Sequence, residues 1–467
     1  MKNIKKDYQE TLDYLFSQLP MYQRIGKAAY KSDLNTTIAL DKYFNHPHQK
    51  FRSIHIAGTN GKGSVSHMLA GIMQQAGYKT GLYTSPHLKD FRERIRINGR
   101  PVDKNFVVDF VSCQYPVLEE LSPSFFEMSV AMAFDYFARE QVDIAVVETG
   151  MGGRLDSTNI ITPLLSVITN IGMDHTEFLG DSLPLIAREK AGIIKPGVPV
   201  VIGELQEEIK DIFVEKTQQE NAAGITFASE IYKCDYAGLT DRGLQSMCIS
   251  RHGKPAYKDL ETDLQGFYQQ KNIITVLQTI DILNQSGIDI LNQSVDGIIN
   301  QQGVEVLNQS GADITNRAGI GINREAIYGG LRHAAKKTGL LGRWQIAGIK
   351  PKIVYDTAHN KEGLGLILKQ VGMTPHEKLH IVLGFVSDKN IRQLLSLFPH
   401  DASYYFTRAS IPRAMDAVEL QIIAREASLQ GNPYNTVREA LDAAKQNAGP
   451  DDLIFVGGST FVVADII

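Results

Sequence analysis

The chain has 467 residues, 43% hydrophobic and 21% charged, with a formal net charge of −4; this excludes a general nucleic-acid binder while leaving room for a local basic pocket around phosphates. No apolar run approaches the roughly 20 residues of a spanning helix, and the charged opening segment, Met1 to Gln9, lacks the apolar core of a secretion signal, so a cytoplasmic protein that engages no membrane is expected. Cys113, Cys234 and Cys248 are too few and too scattered for a disulfide framework or a zinc site, and the length exceeds what one core fills, which predicts a reducing compartment and two domains.

In chain order, Tyr8 to Leu19 and Leu34 to Phe44 carry apolar residues at helical spacing. Ser53 to Ala57 reads as a strand and Ser64 to Ala76 as a helix, and between them Gly58-Thr59-Asn60-Gly61-Lys62-Gly63-Ser64 reads as a phosphate cradle. The glycines let backbone N–H groups turn toward an anion, the helix adds its positive end, and Lys62 supplies a point charge for the β- and γ-phosphates. Gly63 separates Lys62 from Ser64 where an ordinary P-loop has them adjacent, so this is a variant loop. Gly81 to Thr84 is a short strand, Ile95 to Val102 a hairpin turning on Asn98-Gly99, Phe125 to Arg139 a helix, and Val142 to Glu148 and Leu164 to Thr169 β-branched strands of a parallel sheet. The pattern is a doubly wound α/β core.

A second α/β block follows Trp344: strands Lys352 to Tyr355, Leu379 to Leu383, Ala402 to Thr407 and Asp452 to Val456, with helices Gly363 to Val371, Ile391 to Phe398, Val418 to Ser428 and Val437 to Asn447. The Gly- and Lys-containing stretch Lys336 to Arg343 reads as the hinge. Between the blocks, Leu283-Asn284-Gln285-Ser286-Gly287-Ile288-Asp289-Ile290 opens a run of five loosely repeated octads ending at Ile322. Either this is a partner-binding arm or it is a duplicated surface connection, and the second reading is preferred because loop length costs little entropy.

Ligands of open α/β sheets bind beyond the carboxyl ends of the strands. Three such ends carry hard donors: Thr84-Ser85-Pro86-His87, Glu148 to Arg154, and Asp174-His175. A hydroxyl, a carboxylate and an imidazole beside a triphosphate suit Mg²⁺, although imidazole is an unusual ligand for so hard an ion. Lys190, in a helix over Pro184 to Ala191, is near enough in sequence to serve that site or else is a solvated lysine. Asn272 starts an apolar helix, where capping is the plainer reading. Arg343 beside Trp344 either reaches a nucleotide or covers the indole, and Asp356-Thr357-Ala358-His359-Asn360 either faces a cleft or closes its strand with an Asx turn.

The segments GTNGKGSVSHMLA, LYTSPHLKDFRERIRING, ETGMGGRLDSTN, ITNIGMDHTEFLG, IAREKAGIIKPG, GRWQ, YDTAHN and GGSTFVVADI, in this order from about Tyr14 to the C-terminus, resemble the folylpolyglutamate synthase and dihydrofolate synthase family of the Mur ligase superfamily, as found in bifunctional bacterial members. The resemblance implies a P-loop NTPase-like ATPase domain of the Mur central type over 1–338, binding ATP and a pterin, with the octads 283–322 as an insertion. A hinge at 339–344 and a smaller Rossmann-like glutamate ligase domain over 345–467 follow.

It further implies that Gly58, Thr59, Asn60, Gly61, Lys62, Gly63 and Ser64 hold ATP phosphates, and that Asn272, Arg343 and Asp356 contact ATP. Ser85, Glu148 and His175 bind Mg²⁺, replacing a reading in which Ser64 would be the metal's hydroxyl. Lys190 is carbamylated in the family, which turns an ammonium into a metal-accepting anion and leaves room for a second Mg²⁺ and a monovalent cation. Lys62, Lys190 and His359 are the implied catalytic residues, and Ser124, Phe125, Phe126, Glu127, Leu155, Asp156 and Ser157 the implied pterin site. The implied reaction activates a carboxylate as an acyl phosphate, which the amine of L-glutamate attacks, on dihydropteroate, tetrahydrofolate or both, in a monomer whose partners are small molecules. A cell-wall Mur-type amino-acid ligase is the nearest alternative, which the Phe125-Phe126 segment disfavours. A nucleotide-dependent switch protein would carry an ordinary GK[ST] loop or an Asn-Lys-x-Asp guanine reader, and neither occurs here.

Overall fold

β-Branched stretches too short for helices become the strands of three sheets in the computed structural model, which describes residues 7–19, 33–285, 321–387 and 390–467. The first sheet comprises β1 (Arg52–Ala57), β2 (Thr80–Tyr83), β3 (Ile95–Ile97), β4 (Arg100–Pro101), β5 (Ile144–Glu148), β6 (Leu165–Ile168), β7 (Pro199–Ile202) and β8 (Gly224–Phe227), in the order β4-β3-β2-β5-β1-β6-β7-β8. From β2 to β8 neighbours run parallel, whereas β3 is antiparallel both to β2 and to β4, its partner in the hairpin. Its turn residues Asn98 and Gly99 both have positive φ, +48° and +75°, as a tight hairpin turn demands.

Alternate residues of the central strands feed different cores. Ile54, Ile56 and Val146 pack with Val65, Leu69 and Met73 of the helix Lys62–Gln75, whereas Ala145 and Val147 pack with Phe134 and Phe137 of the helix Phe125–Arg139. Burial on both faces explains why these strands read as unbroken apolar runs.

The second sheet was not anticipated: β9 (Tyr232–Leu239), β10 (Gln245–Arg251) and β11 (Lys254–Thr262) form an antiparallel meander beside the helix Gln269–Gln285. The third comprises β12 (Gln345–Ile349), β13 (Lys352–Tyr355), β14 (Leu379–Leu383), β15 (Ser403–Thr407), β16 (Gly431–Tyr434) and β17 (Leu453–Gly457), in the order β12-β13-β17-β14-β15-β16, with β12 alone antiparallel. Here β16 separates two helices that the sequence reading left adjacent, and the helix expected to reach Phe398 ends at Leu395.

The octads lie almost wholly outside the described residues, but the two ends of the insertion are in contact. Asn284 donates through Nδ2 to the Ile322 carbonyl (3.0 Å) and accepts from the Ile322 amide through Oδ1 (3.0 Å). Chain leaving the helix at Gln285 therefore returns beside its own exit. Among the described residues no helix is long and apolar enough to cross a membrane.

Candidate active site

The carboxyl ends of the two parallel sheets open onto one cavity of about 420 Å³. Its wall includes the loop after β1 (Gly58 to Ser64), Ser85 after β2, Glu148 at the end of β5, Asp174 and His175 after β6, and Asp356 and His359 after β13. Lys190, Asn272 and Arg343 line the same space, as do Ser124, Phe125, Phe126, Glu127, Leu155, Asp156 and Ser157. Residues up to 301 positions apart, from Gly58 to His359, thus meet because both sheets direct their strand ends at the same cleft.

The phosphate-cradle loop is shaped by what it touches. Gly58 has φ +145°, and a Cβ there would lie 1.9 Å from Thr169 Oγ1; Gly61 has φ +88°, and its Cβ would lie 2.3 Å from Asn272 Oδ1. Side chains are excluded at both positions, by conformation and by space. The loop is then sewn to the segment after β6. The Thr59 amide donates to the Asn170 carbonyl (2.9 Å), the Asn60 amide to Asn170 Oδ1 (2.9 Å), and Thr169 Oγ1 to the Asn60 carbonyl (2.6 Å).

The following helix opens at Lys62, earlier than the Ser64 start read from the sequence. Its first turn therefore contains the lysine itself, whose Nζ folds back onto the carbonyls of Gly58 (3.1 Å) and Thr59 (3.2 Å). Ser64 is buried and accepts a hydrogen bond from Gln269 Nε2 (3.1 Å), so its hydroxyl is committed to the helix Gln269–Gln285.

Two ionisable groups are strongly perturbed. Burial pushes the Glu148 carboxyl up to about 7, partly opposed by the charge of Lys62 and by the Ser85 amide that donates to Oε2 at 3.2 Å. Burial, reinforced by the Lys62 charge, pushes the Lys190 amine down to about 7. Lys190 is 4% exposed and donates to the Gly58 carbonyl at 2.8 Å, so it is not a solvated lysine.

At the putting-together of the two halves, side chains interlock. Asn360 donates to Asn60 Oδ1 (3.0 Å) and to Asp174 Oδ2 (3.2 Å), and His359 Nε2 lies 3.3 Å from that same Asp174 oxygen. Asp356 makes the Asx turn, accepting from the Ala358 amide (2.8 Å), while its other oxygen accepts from the Trp344 amide (2.7 Å) and from Tyr268 OH (2.9 Å). Asn272 does not cap its helix: its Nδ2 donates to Gln269 Oε1 (2.7 Å) within the first turn and its Oδ1 faces Gly61.

The sequence profile of the Mur ligase middle domain matches residues 56–280, and that of the Mur ligase glutamate ligase domain matches 342–460. Folylpolyglutamate synthase of Lacticaseibacillus casei is 30% identical over 98% of this chain and 98% of its own length. The chain belongs to the folylpolyglutamate synthase and dihydrofolate synthase family.

The dihydrofolate synthase/folylpolyglutamate synthase of Bacillus subtilis is 29% identical with 98% of both chains covered, and the chain spans 50% of a longer Haloferax volcanii relative. Among solved structures, E. coli FolC in complex with DHPP and ADP superposes with a TM-score of 0.78 at 25% identity, over 98% of this chain and 96% of that one. Set in this family, the expected pterin segments show a division of labour. Ser124 and Glu127 form a reciprocal capping box on the helix Phe125–Arg139, and Asp156 is spent on the Gly150, Met151 and Thr158 amides. Apolar and aromatic surface at the cavity is left to Phe125, Phe126 and Leu155.

Sequence reasoning missed Thr169, Asn170 and Asn360 as organisers of the cleft, and Tyr268 as the tie to Asp356. Asn360 alone had a readable signal, as the N-cap of the helix Lys361–Met373, accepting from the Gly363 amide at 2.9 Å.

Proposed function

We infer that this protein is an ATP-dependent ligase that adds L-glutamate to dihydropteroate, to tetrahydrofolate and its glutamates, or to both. The observation that carries the reading is the convergence of the Gly58–Ser64 cradle, the aromatic Phe125-Phe126 wall and the C-terminal Asp356–Asn360 loop on one cavity. The complex of the E. coli relative with DHPP and ADP supports the binding of a nucleotide together with an acceptor substrate.

In this reading residues 1–338 bind ATP and pterin, 339–344 are the hinge, and 345–467 bring glutamate. Gly58 to Ser64, with Asn272, Arg343 and Asp356, hold ATP. A carboxylate is inert to an amine, so the γ-phosphoryl is transferred to it, and Lys62 swings from its backbone carbonyls to neutralise the transferring group. The amine of L-glutamate then attacks the acyl phosphate, an amide forms and phosphate leaves. Contacts of Asn360 and His359 with Asn60 and Asp174 close the cleft against water, which would hydrolyse the intermediate. His359 is the catalytic group proposed from the C-terminal side.

A divalent cation fits the donor set. Glu148 is a buried carboxylate whose charge is only partly compensated, and a cation held by Glu148, Ser85 and His175 relieves that cost. Mg²⁺ there supplies charge neutralisation on the phosphates. At Lys190 burial lowers the amine to about 7, so a substantial fraction is unprotonated near neutrality, the form that condenses with CO₂; this supports a carbamate, and with it a second Mg²⁺ or a monovalent cation. The three free cysteines fit a reducing cytoplasm, and the proposed partners are small molecules alone, with a monomer as the working unit.

Hydroxylamine added to enzyme, ATP and dihydropteroate without glutamate tests the chemistry. A pteroyl hydroxamate formed only with ATP supports the acyl phosphate, and its absence despite glutamate-dependent turnover would overturn it.

A further inference from the structure

Before the amino end of β1, across the length of that strand from the phosphate loop, three metal-ligating side chains converge that the ligase reaction does not use. Asp41 lies in the helix Asn35–Tyr43, and His46 and His48 follow in the turn that leads into β1. His46 Nδ1 is 2.7 Å from Asp41 Oδ2 and His48 Nδ1 is 2.6 Å from Asp41 Oδ1, and the three candidate donor atoms lie within 4.8 Å of one another. Strand β1 contains six residues, a span of about 20 Å, and separates this cluster from Gly58.

We propose that Asp41, His46 and His48 form a second metal site, for a borderline divalent ion of the zinc type, which staples the helix Asn35–Tyr43 to the entry of β1. Two imidazole nitrogens and one carboxylate oxygen are the donors such an ion prefers, whereas Mg²⁺ favours all-oxygen sets. A tetrahedral ion with bonds of about 2.0–2.1 Å keeps its ligands about 3.3 Å apart, a spacing that donor atoms already within 4.8 Å of one another reach by small side-chain rotations. Side-chain burial matches a three-ligand site with one open position. Asp41 is 7% exposed and His48 16%, while His46 is 45% exposed and leaves a face for water. The alternative is a proton-only arrangement, with each Nδ1–H donated to one carboxylate oxygen.

The test uses the full chain, stripped with chelator and then saturated with Mg²⁺ and ADP so that donors of the catalytic cleft are occupied. Zn²⁺ is titrated calorimetrically into the wild type, His46→Ala and His48→Gln. Because His46 is half exposed, His46→Ala keeps the fold whether or not His48→Gln does. The wild type is expected to take up one more Zn²⁺ per chain than His46→Ala, whose affinity at this site falls by at least the roughly 10–100-fold that losing even an outer partner costs. Ligase rate stays the same in both. Crystals soaked in Zn²⁺ should give an anomalous peak between the two Nδ1 atoms and Asp41. Equal stoichiometry and affinity in wild type and His46→Ala, or a peak elsewhere only, would establish the proton-only arrangement and overturn the site. Either result leaves the ligase reading intact, since that reading stands on the other end of the sheet.

Discussion

Replacing Lys190 by methionine should stabilise the protein while abolishing its activity. A lysine normally titrates near 10.5, and here burial and Lys62 bring it to about 7, so at pH 7 folding must strip or bury a charge that the unfolded chain keeps in water. The difference corresponds to about 4 kcal/mol at pH 7, at about 1.4 kcal/mol per tenfold. Methionine has nearly the same length and no charge, but it forfeits the 2.8 Å hydrogen bond to the Gly58 carbonyl, worth about 1 kcal/mol. The net expectation is a gain of about 3 kcal/mol in the unfolding free energy of the ligand-free protein. The sign with pH follows from linkage: between about 7 and 10.5 the unfolded chain binds the extra proton, so wild-type stability from this group rises with pH and the advantage of Lys190→Met shrinks toward pH 10.5. Urea unfolding followed by circular dichroism in CO₂-free buffer, at pH 7 and pH 9.5, reads both effects. A variant no more stable than wild type at pH 7, or an advantage that does not narrow at the higher pH, refutes a buried lysine whose charge folding suppresses.

Lys62→Ala should leave the urea midpoint unchanged and lower kcat/KM by more than about tenfold, or 1.4 kcal/mol of barrier; a smaller loss removes Lys62 from the transferring phosphate. Gly58→Ala places a Cβ 1.9 Å from Thr169 Oγ1 at a φ of +145°, a strain of about 1–3 kcal/mol taken up in the loop, so calorimetry should find nucleotide affinity down by about tenfold or more in a folded protein. Unchanged affinity would mean that the loop does not hold the phosphates. Replacing residues 286–320 by a linker of about eight residues shortens the connection by two doublings, worth about 1 kcal/mol. The ligase rate should stay within a few-fold, because Asn284 and Ile322 already hold the ends together; loss of folate affinity would give the octads a part in the mechanism.

The strands that carry the site were legible because each is buried on both faces and ends at a chemically loaded turn: β1 before Gly58, β5 at Glu148, β13 before Asp356. The β9–β11 meander was not, since its strands mix lysine, aspartate and tyrosine in half-exposed alternation and its residues pair with one another across antiparallel registers. Strand β16, Gly-Asn-Pro-Tyr at a sheet edge, contains two residue types that normally argue against a strand. Within the site, donors at strand ends could be named, but their partners could not. That Asp356 would serve both as an Asx turn and as an acceptor for Tyr268, 88 residues earlier, depends on how the two halves meet. The same holds for the fate of Ser64, whose hydroxyl is claimed by Gln269 from a helix that no local spacing ties to the loop.

Phosphate release measured with ATP, Mg²⁺ and each acceptor decides whether the protein is a glutamate ligase acting on a pterin acid. With dihydropteroate or tetrahydrofolate, phosphate should appear in proportion to added L-glutamate and be matched one for one by a product heavier by a single glutamyl residue. Phosphate release that is indifferent to glutamate and to both pterins, or that responds instead to a cell-wall muramyl acceptor, would contradict it.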